Sequence, residues 1–330
     1  MTKNIAIIGA GLSGLTAAHA LKESCSVVLF DKSRGVGGRM STRYAPSPDI
    51  GQYEFDHGAQ YFTARDPHFQ DAVERAIEQG VVAPWAGRAF YLKDGAMERD
   101  RGSDRFVAVP RMNSWAKHLA EGLDITLGAR VSSLSRQDGT WTLIFEDGAK
   151  RGGFDAVICA VPSVQAQALL PAEFSGMKAI QTTKMDACFA LMVGFDKPHD
   201  FGWDSLRVND NVNAWLAVNS DKPGRAKAMT TLMVHAAPDW SNEHAEADRD
   251  WVRAEMEASA SELCGKHISA ASHITLHRWL YASVSASPQQ AALIDLNKGL
   301  IACGDWCLGG RVEGAFLSGL AAADSLLNSL

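Results

Sequence analysis

An apolar run from Asn4 to Ile8 opens the chain, and its lack of alternation is the pattern of a strand buried on both faces. Gly9 to Gly14 turn it, and the small and apolar residues that follow predict a helix ending near Lys22. Ser26 to Phe30 (SVVLF) reads as a second buried strand, closed by Asp31, which completes a βαβ unit of about thirty residues. Ser33 to Pro48, rich in Gly, Arg, Ser and Pro, reads as an ordered loop. The pattern then predicts a helix over His68 to Gln79, a hairpin over Tyr91 to Gly95 and an amphipathic helix over Met112 to Glu121. Ile125 to Leu134 reads as one strand. Trp141 to Phe145, turning at Glu146-Asp147-Gly148, leads into another buried strand, Ala156 to Val161.

Beyond Pro162 the character changes. Strands are expected over Ala187 to Phe195, Asn213 to Asn219 and Ala228 to His235, with a long helix over Asp248 to Cys264. This block has no glycine-rich phosphate signal, so it reads as a substrate domain. Leu300 to Cys303 returns to a buried strand, and Glu313 to Leu327 is a helix rich in small residues. The chain is therefore expected to leave its first domain and come back to it. Residues 1–80, 105–165 and 290–330 would form a nucleotide domain, and 81–104 and 166–289 a substrate domain. There are no internal repeats and no low-complexity tract.

Composition narrows the options. The chain has 330 residues, 46% hydrophobic and 21% charged, ordinary for a chain that buries a large core. A net charge of −6 argues against a broad nucleic-acid surface, so an anionic ligand must be held by local groups. Six scattered cysteines without a C-x-x-C pair fit a reducing compartment better than a disulfide scaffold. The stretch Ile5 to Leu21 after Lys3, with Ala18-His19-Ala20, imitates a secretion signal, but three glycines have no place there and cleavage would destroy the βαβ unit. No other segment has the ~20 apolar residues that a membrane span needs. A soluble, cytoplasmic protein is expected, with no membrane, no nucleic acid and no obligate protein partner.

Three motifs carry chemistry. Gly9-x-Gly11-x-x-Gly14 is a dinucleotide fingerprint in its strand-turn-helix context. The first glycine makes the turn, the second lets backbone approach a pyrophosphate, and the third lets helix pack on strand. The helix start at Leu12 and Ser13 offers free N–H groups to phosphate. Asp31 stands where a carboxylate binds ribose hydroxyls, next to Lys32. Together these give an α/β fold with a Rossmann-type domain, and they do not separate NAD from FAD. The next stretch does, by resemblance: Asp31-Lys-Ser-Arg-Gly-Val-Gly37-Gly38-Arg39-Met40 resembles the E/D-x₅-G-G-R segment of FAD enzymes in the amine oxidase superfamily, and its paired glycines stand beside Arg39, whose forked donors suit a pyrophosphate. The third motif runs from Ile301 to Ala315, where a buried strand ends in Gly304-Asp305 and glycines open a helix near Val312. Asp305 is placed to take a flavin hydroxyl, and the helix aims its positive end at the flavin ring. Each segment also has a plainer reading, as a close-packed turn, a glycine-rich surface loop or an ordinary strand and helix.

Together these segments and Asp56-His57-Gly58-Ala59-Gln60-Tyr61-Phe62-Thr63 resemble the bacterial renalases, a branch of the FAD-dependent amine oxidase superfamily. The resemblance runs nearly end to end and implies a Rossmann-type FAD-binding domain with an interleaved mixed or antiparallel-sheet substrate domain. It implies that His57, Gly58, Ala59 and Gln60 pass beside the flavin, that Tyr61 faces the substrate and that the Val131 backbone meets the adenine. True amine oxidases carry a cage tyrosine in G-Y-x-E-G-A, where this chain has Gly310-Arg311-Val312-Glu313-Gly314-Ala315. A guanidinium there disfavours a protonated amine and favours an anionic or carboxamide-bearing substrate. The resemblance thus implies oxidation of abnormal 2- or 6-dihydro isomers of NAD(P)H. Hydride would pass to flavin N5 and electrons to O₂, giving NAD(P)⁺ and hydrogen peroxide. No acid–base residue is required, so no catalytic triad is expected. The family's covalent cysteine context is absent, so FAD is expected to be held non-covalently.

Substrate candidates in the middle block are Lys184, His235 and Trp279, the last beside Arg278, together with Tyr61 and Arg311. Lys184 also reads as a solvated strand start, His235 as a core histidine and Trp279 as a core aromatic. The histidines lack metal spacing, so no metal site is expected. Cys303 and Cys307 read as packing thiols. The alternatives are an amine oxidase or desaturase of the same superfamily, a flavin-binding protein without turnover, and an NAD-dependent dehydrogenase.

Overall fold

The computed structural model describes residues 2–47, 51–209, 211–265, 268 and 271–329. Asn4–Ile8 lies inside a six-stranded sheet in the order Leu293–Asp295, Leu300–Ala302, Ala156–Cys159, Asn4–Ile8, Ser26–Asp31, Asp124–Leu127. Every neighbouring pair is parallel except the edge strand Leu293–Asp295. The continuous apolar pattern follows from two covered faces. Ile5 and Ile7 pack with the helices Leu12–Leu21 and Arg311–Leu327, while Ala6 and Ile8 pack toward Trp141, Leu143 and Phe154 of a three-stranded antiparallel sheet. Small residues let the two helices touch: a Cβ on Gly319 would lie 2.2 Å from the Ser13 carbonyl oxygen.

A second sheet has seven strands, in the order His273–Ala286, Lys184–Phe195, Thr230–Ala236, Asn213–Val218, Ser205–Val208, Ala89–Lys93, Ala96–Arg99. Helix Arg249–Cys264 seals one face through Val252, Met256 and Ala260. Asp248 caps that helix, accepting from the backbone N–H groups of Asp250 and Trp251. Strands of the six-stranded sheet come from residues 4–31, 124–159 and 293–302, and those of the seven-stranded sheet from 89–99 and 184–286. The chain thus leaves the first sheet and returns to it.

Some expected boundaries shift. Ile125 to Leu134 is not one strand: Asp124–Leu127 closes the parallel sheet and Val131–Gln137 starts the three-stranded one. Gly128, at φ 69°, makes the break, and the Gly128 and Ala129 N–H groups donate to Ser33 O and Asp31 O. The segment from Ser33 is more than a loop. It holds a short helical turn at Gly38–Met40 and a strand, Arg43–Ser47, paired with Gly51–Phe55, while Pro48 lies outside the described residues. The helix expected over Met112 to Glu121 is confined to Ser114–Leu119. The longest strand, His273–Ala286, pairs with Lys184–Phe195 along nearly its whole length, and only its Arg278-Trp279 run is flagged by the sequence reading. Among the described residues no helix is long and apolar enough to cross a membrane.

Candidate functional site

A cleft of about 2080 Å³ runs between the two sheets, from the glycine turn after the first strand to the inner face of the seven-stranded sheet. At its nucleotide end the three fingerprint glycines separate by role. A Cβ on Gly14 would lie 2.0 Å from Gly9 O, so Gly14 serves helix-on-strand packing. A Cβ on Gly11 would meet nothing within 4 Å, and Gly11 borders the cleft. Among the described residues no atom claims the space above Gly11, which is the cradle that a dinucleotide's phosphates would fill. Gly9, Leu12, Ser13, Lys32, Met40 and Val131 border the same end. Asp31 is nearly buried. Its Oδ2 accepts from Ala10 N at 2.6 Å and its Oδ1 from Ser33 N at 2.7 Å, leaving a lone pair on each oxygen for ribose hydroxyls. The residues therefore fit the adenosine and pyrophosphate of FAD.

Arg39 and Asp305 stand otherwise than the motifs imply. Arg39 Nη1 donates to Asp305 Oδ2 at 2.8 Å and Nη2 to Oδ1 at 2.5 Å, with a third bond from Nη1 to Ala282 O at 3.1 Å. The forked face expected on a pyrophosphate is thus engaged by the carboxylate expected on a flavin hydroxyl. The pair ties the Gly38–Met40 turn to the Gly304-Asp305 turn and to the longest strand. Both residues still border the cleft.

The far end is built by sheet register. Trp215 lies opposite His235, His235 opposite Ala190, and Ala190 opposite His277, so one cross-strand row presents Trp215, His235 and His277 together. Trp279, opposite Cys188, follows two residues on. The segment Asp56 to Tyr61 crosses in front of this row. His57 O accepts from Trp279 Nε1 at 2.9 Å and lies 3.2 Å from His235 Nε2, and the His57 ring sits 4.9 Å from both Trp279 and His277. Burial holds the three imidazoles neutral: His57 is pushed down to about 3, His235 and His277 to about 4, and neighbouring cations or histidines add to each fall.

Beneath the segment, Asp56 is buried with Arg225, which donates to its Oδ2 at 2.6 Å, and Lys222, 3.7 Å away. Burial pushes the Asp56 carboxyl upward, but Lys222 and Arg225 outweigh it and hold the group below its ordinary value. Lys222 Nζ reaches Gln60 Oε1 at 3.2 Å, and Gln60 lies 3.5 Å from His235, so the buried charges brace the row facing the cleft.

Charge along the cleft is lopsided. Ten lysine and arginine residues border it against three carboxylates, Asp31, Asp305 and Glu313. All three are engaged, Glu313 by the backbone N–H groups of Arg65 and Asp66 at 2.6 and 2.8 Å. Arg311 is exposed on the rim at φ 74°, opening the C-terminal helix beside Val312.

The structure brings together nearly all the residues that the motifs single out, including Gly38, His57, Gly58, Ala59, Tyr61, His235, Trp279, Gly304, Arg311 and Val312. Gln60 borders a smaller adjoining recess. Gly14 lies behind the turn, and Lys184 stands exposed at the start of its strand, outside the cleft lining, as a solvated residue would. Cys303 and Cys307 are free and buried, and burial pushes the Cys303 thiol up to about 12, which suits packing and not redox exchange. Among the described residues no cluster is arranged to hold a metal ion. Trp215, Arg207 and His277 are singled out by no motif. The alternation in His273-Ile274-Thr275-Leu276-His277-Arg278-Trp279, apolar at 274 and 276, is the one local signal that marks a cleft-facing edge.

Comparison with known proteins agrees with this architecture. Residues 88–327 match the family model described as flavin containing amine oxidoreductase, and residues 7–76 match that of an NAD(P)-binding Rossmann-like domain. Three solved structures share the fold at low identity. A protein of Exiguobacterium sp. 255-15 assigned as a protoporphyrinogen oxidase aligns over 100% of both chains at 12% identity, with a TM-score of 0.80. Reduced UDP-galactopyranose mutase covers 100% of this chain and 95% of its own at 12% identity, with a TM-score of 0.78. Cyclohexylamine oxidase from Brevibacterium oxydans IH-35A covers 100% and 99% at 14%, with a TM-score of 0.74.

Proposed function

The chain belongs to the flavin-containing amine oxidoreductase family, and within it we propose an oxidase that takes hydride from abnormal dihydro isomers of NAD(P)H, as the bacterial renalases do. The observation that carries this reading is the charge of the cleft: ten cations border it, of which Arg39, Arg130 and Arg278 are ion-paired, against three carboxylates. Such a lining lowers the potential energy of a phosphate-bearing substrate and raises that of an ammonium. Bound FAD would supply the hydride acceptor and pass the electrons on to O₂.

The protein's part is positional. Trp279, fixed by its bond to His57 O, offers a flat face for a nicotinamide ring, and His235 is anchored to the same carbonyl. Neutral imidazoles at His57, His235 and His277 add no positive charge where a pyridinium would form, so the developing cation meets no like charge from them. Oxidation of a dihydropyridine to a pyridinium removes no separate proton, which fits a site without a general base among these residues.

A second reading, oxidation of an amine, draws support from the aromatic walls at Tyr61, Trp215 and Trp279. One experiment separates the two. The purified holoprotein is mixed anaerobically with NADH, with its prepared dihydro isomers, or with a panel of primary and secondary amines, while flavin absorbance is followed. Bleaching by the isomers alone, with peroxide on admitting air, is the expected result. Bleaching by an amine alone would overturn the proposal.

A further inference from the structure

A smaller recess of about 420 Å³ adjoins the cleft and shares with it Tyr61, Arg207, Trp215 and His235, while adding Gln60 and Asn209. The substrate end of the cleft therefore continues sideways, past strand Ser205–Val208, away from the glycine cradle. Tyr61, Trp215 and Arg207 line the recess, and Arg105, outside the lining, packs against the two rings. The Tyr61 and Trp215 rings lie 5.4 Å apart, and the Arg105 guanidinium sits 4.7 Å from the Tyr61 centroid and 5.4 Å from that of Trp215. Arg207 lies 5.8 Å from the Trp215 centroid and donates through Nη2 to Tyr61 Oη at 3.1 Å.

The two arginines differ in what they have left to give. Arg105 is engaged by Asp100 at 2.5 Å and by Ser205 Oγ at 2.9 Å. Among the described residues Arg207 has the neutral tyrosine hydroxyl as its one hydrogen-bond partner and is aligned by it at the mouth. Trp215 Nε1 is buried with no acceptor among the described residues, a donor whose desolvation is left uncompensated. An oriented guanidinium, an orphaned indole N–H and two ring faces suit a phosphorylated ribose: anion on arginine, oxygen acceptor on the indole, sugar against the rings.

We infer that this side recess holds the phosphate-bearing tail of the substrate, with Arg207 as its phosphate ligand and Trp215 as a second donor, separately from the phosphate cradle at Gly11. The inference rests on the dihydronicotinamide reading above. It places the nicotinamide against His235 and Trp279 and the first phosphate beyond Tyr61.

The test compares the holoprotein with its Arg207→Ala and Arg207→Lys variants. Nicotinamide mononucleotide and nicotinamide riboside, which differ only in the phosphate, are titrated calorimetrically, and the matching dihydro isomers are assayed for turnover. Wild type is expected to favour the mononucleotide roughly ten- to a hundred-fold, the range of one charge-assisted hydrogen bond. Arg207→Ala should collapse that ratio toward unity, and Arg207→Lys should keep part of it, retaining charge without the fork. No preference in wild type, or a preference undiminished in Arg207→Ala, would overturn the inference. Absent turnover of both the dihydro mononucleotide and the dihydro riboside, with the binding preference intact, would instead count against the proposed function.

Discussion

Replacing Gly11 and Gly14 by alanine, one at a time, separates a ligand cradle from a packing contact three residues away. At Gly11 the new methyl meets no protein atom within 4 Å, and the backbone there, φ −75° and ψ 177°, is open to any residue. The entropic gain of Gly→Ala, about 0.4–1 kcal/mol, is offset by alanine's poorer standing at a helix N-cap. Flavin-free Gly11→Ala is therefore expected to unfold within about 1 kcal/mol of wild type. The methyl instead occupies the space that a pyrophosphate needs. Losing one charge-assisted bond of about 1.5–3 kcal/mol corresponds to roughly ten- to a hundred-fold weaker flavin binding. At Gly14 the methyl would lie 2.0 Å from Gly9 O, backbone that cannot step aside without moving the helix off the sheet. A destabilisation of about 1–3 kcal/mol or more is expected, with flavin or without it. The assay is urea unfolding of both apoproteins, followed by fluorescence titration with FAD. Flavin affinity in Gly11→Ala equal to wild type would refute the assignment of that open space to the dinucleotide. Wild-type stability in Gly14→Ala would refute the packing argument.

Arg39→Ala would leave Asp305, whose side chain is 7% exposed, without its counter-charge. A loss of about 3 kcal/mol and weakened flavin retention are expected, and full flavin content after dialysis with an unchanged urea midpoint would contradict the strut. Arg311→Tyr removes a cation from the cleft rim and should lower kcat/KM for the dinucleotide at least about ten-fold; unchanged turnover would show that its charge is not felt by the substrate. His235 takes a proton near pH 4 in the fold but near 6.5 when unfolded, so its contribution is fully present above pH 6.5 and is lost as pH falls toward 4. At ~1.4 kcal/mol per pH unit this is about 3 kcal/mol. His235→Gln should unfold less steeply over that window, and an identical acid limb in wild type and variant would show that the ring is not buried neutral.

What could be read from the sequence was what is local. Asn4–Ile8, Leu12–Leu21 and Ser26–Asp31 follow from unbroken apolar runs and a glycine turn, because a strand with two covered faces has no polar position to offer. The cradle end of the site follows for the same reason, since Gly9, Gly11 and Asp31 fall within one βαβ unit. The break at Gly128 was hidden because Asp124–Leu127 and Val131–Gln137 are both strands, and only their membership of different sheets separates them. The Arg39–Asp305 pair joins residues 266 apart in sequence, and each partner alone suggested a ligand contact. Nothing local links Trp215, His235 and His277. Their row exists only because four antiparallel strands, linked through Ala190, pair in one register.

The short segment Asp56 to Tyr61 explains how two sheets with separate cores produce one cleft. Its first residue is sunk among Arg225, Lys222 and Thr42, its second offers one carbonyl to both His235 and Trp279, and a Cβ at its third would lie 1.9 Å from Arg39 O. Gln60 then returns to Lys222, and Tyr61 meets Arg207. Successive residues thus face several different elements, so the segment has no hydrophobic period and is recognisable only as a motif. Both substrate-side sheet residues and the flavin-side turn at Arg39 take their positions from it. A change at Asp56 should therefore disturb the cleft at His235 without touching it, because the buried cations Lys222 and Arg225 would lose the carboxylate that keeps Gln60 in place.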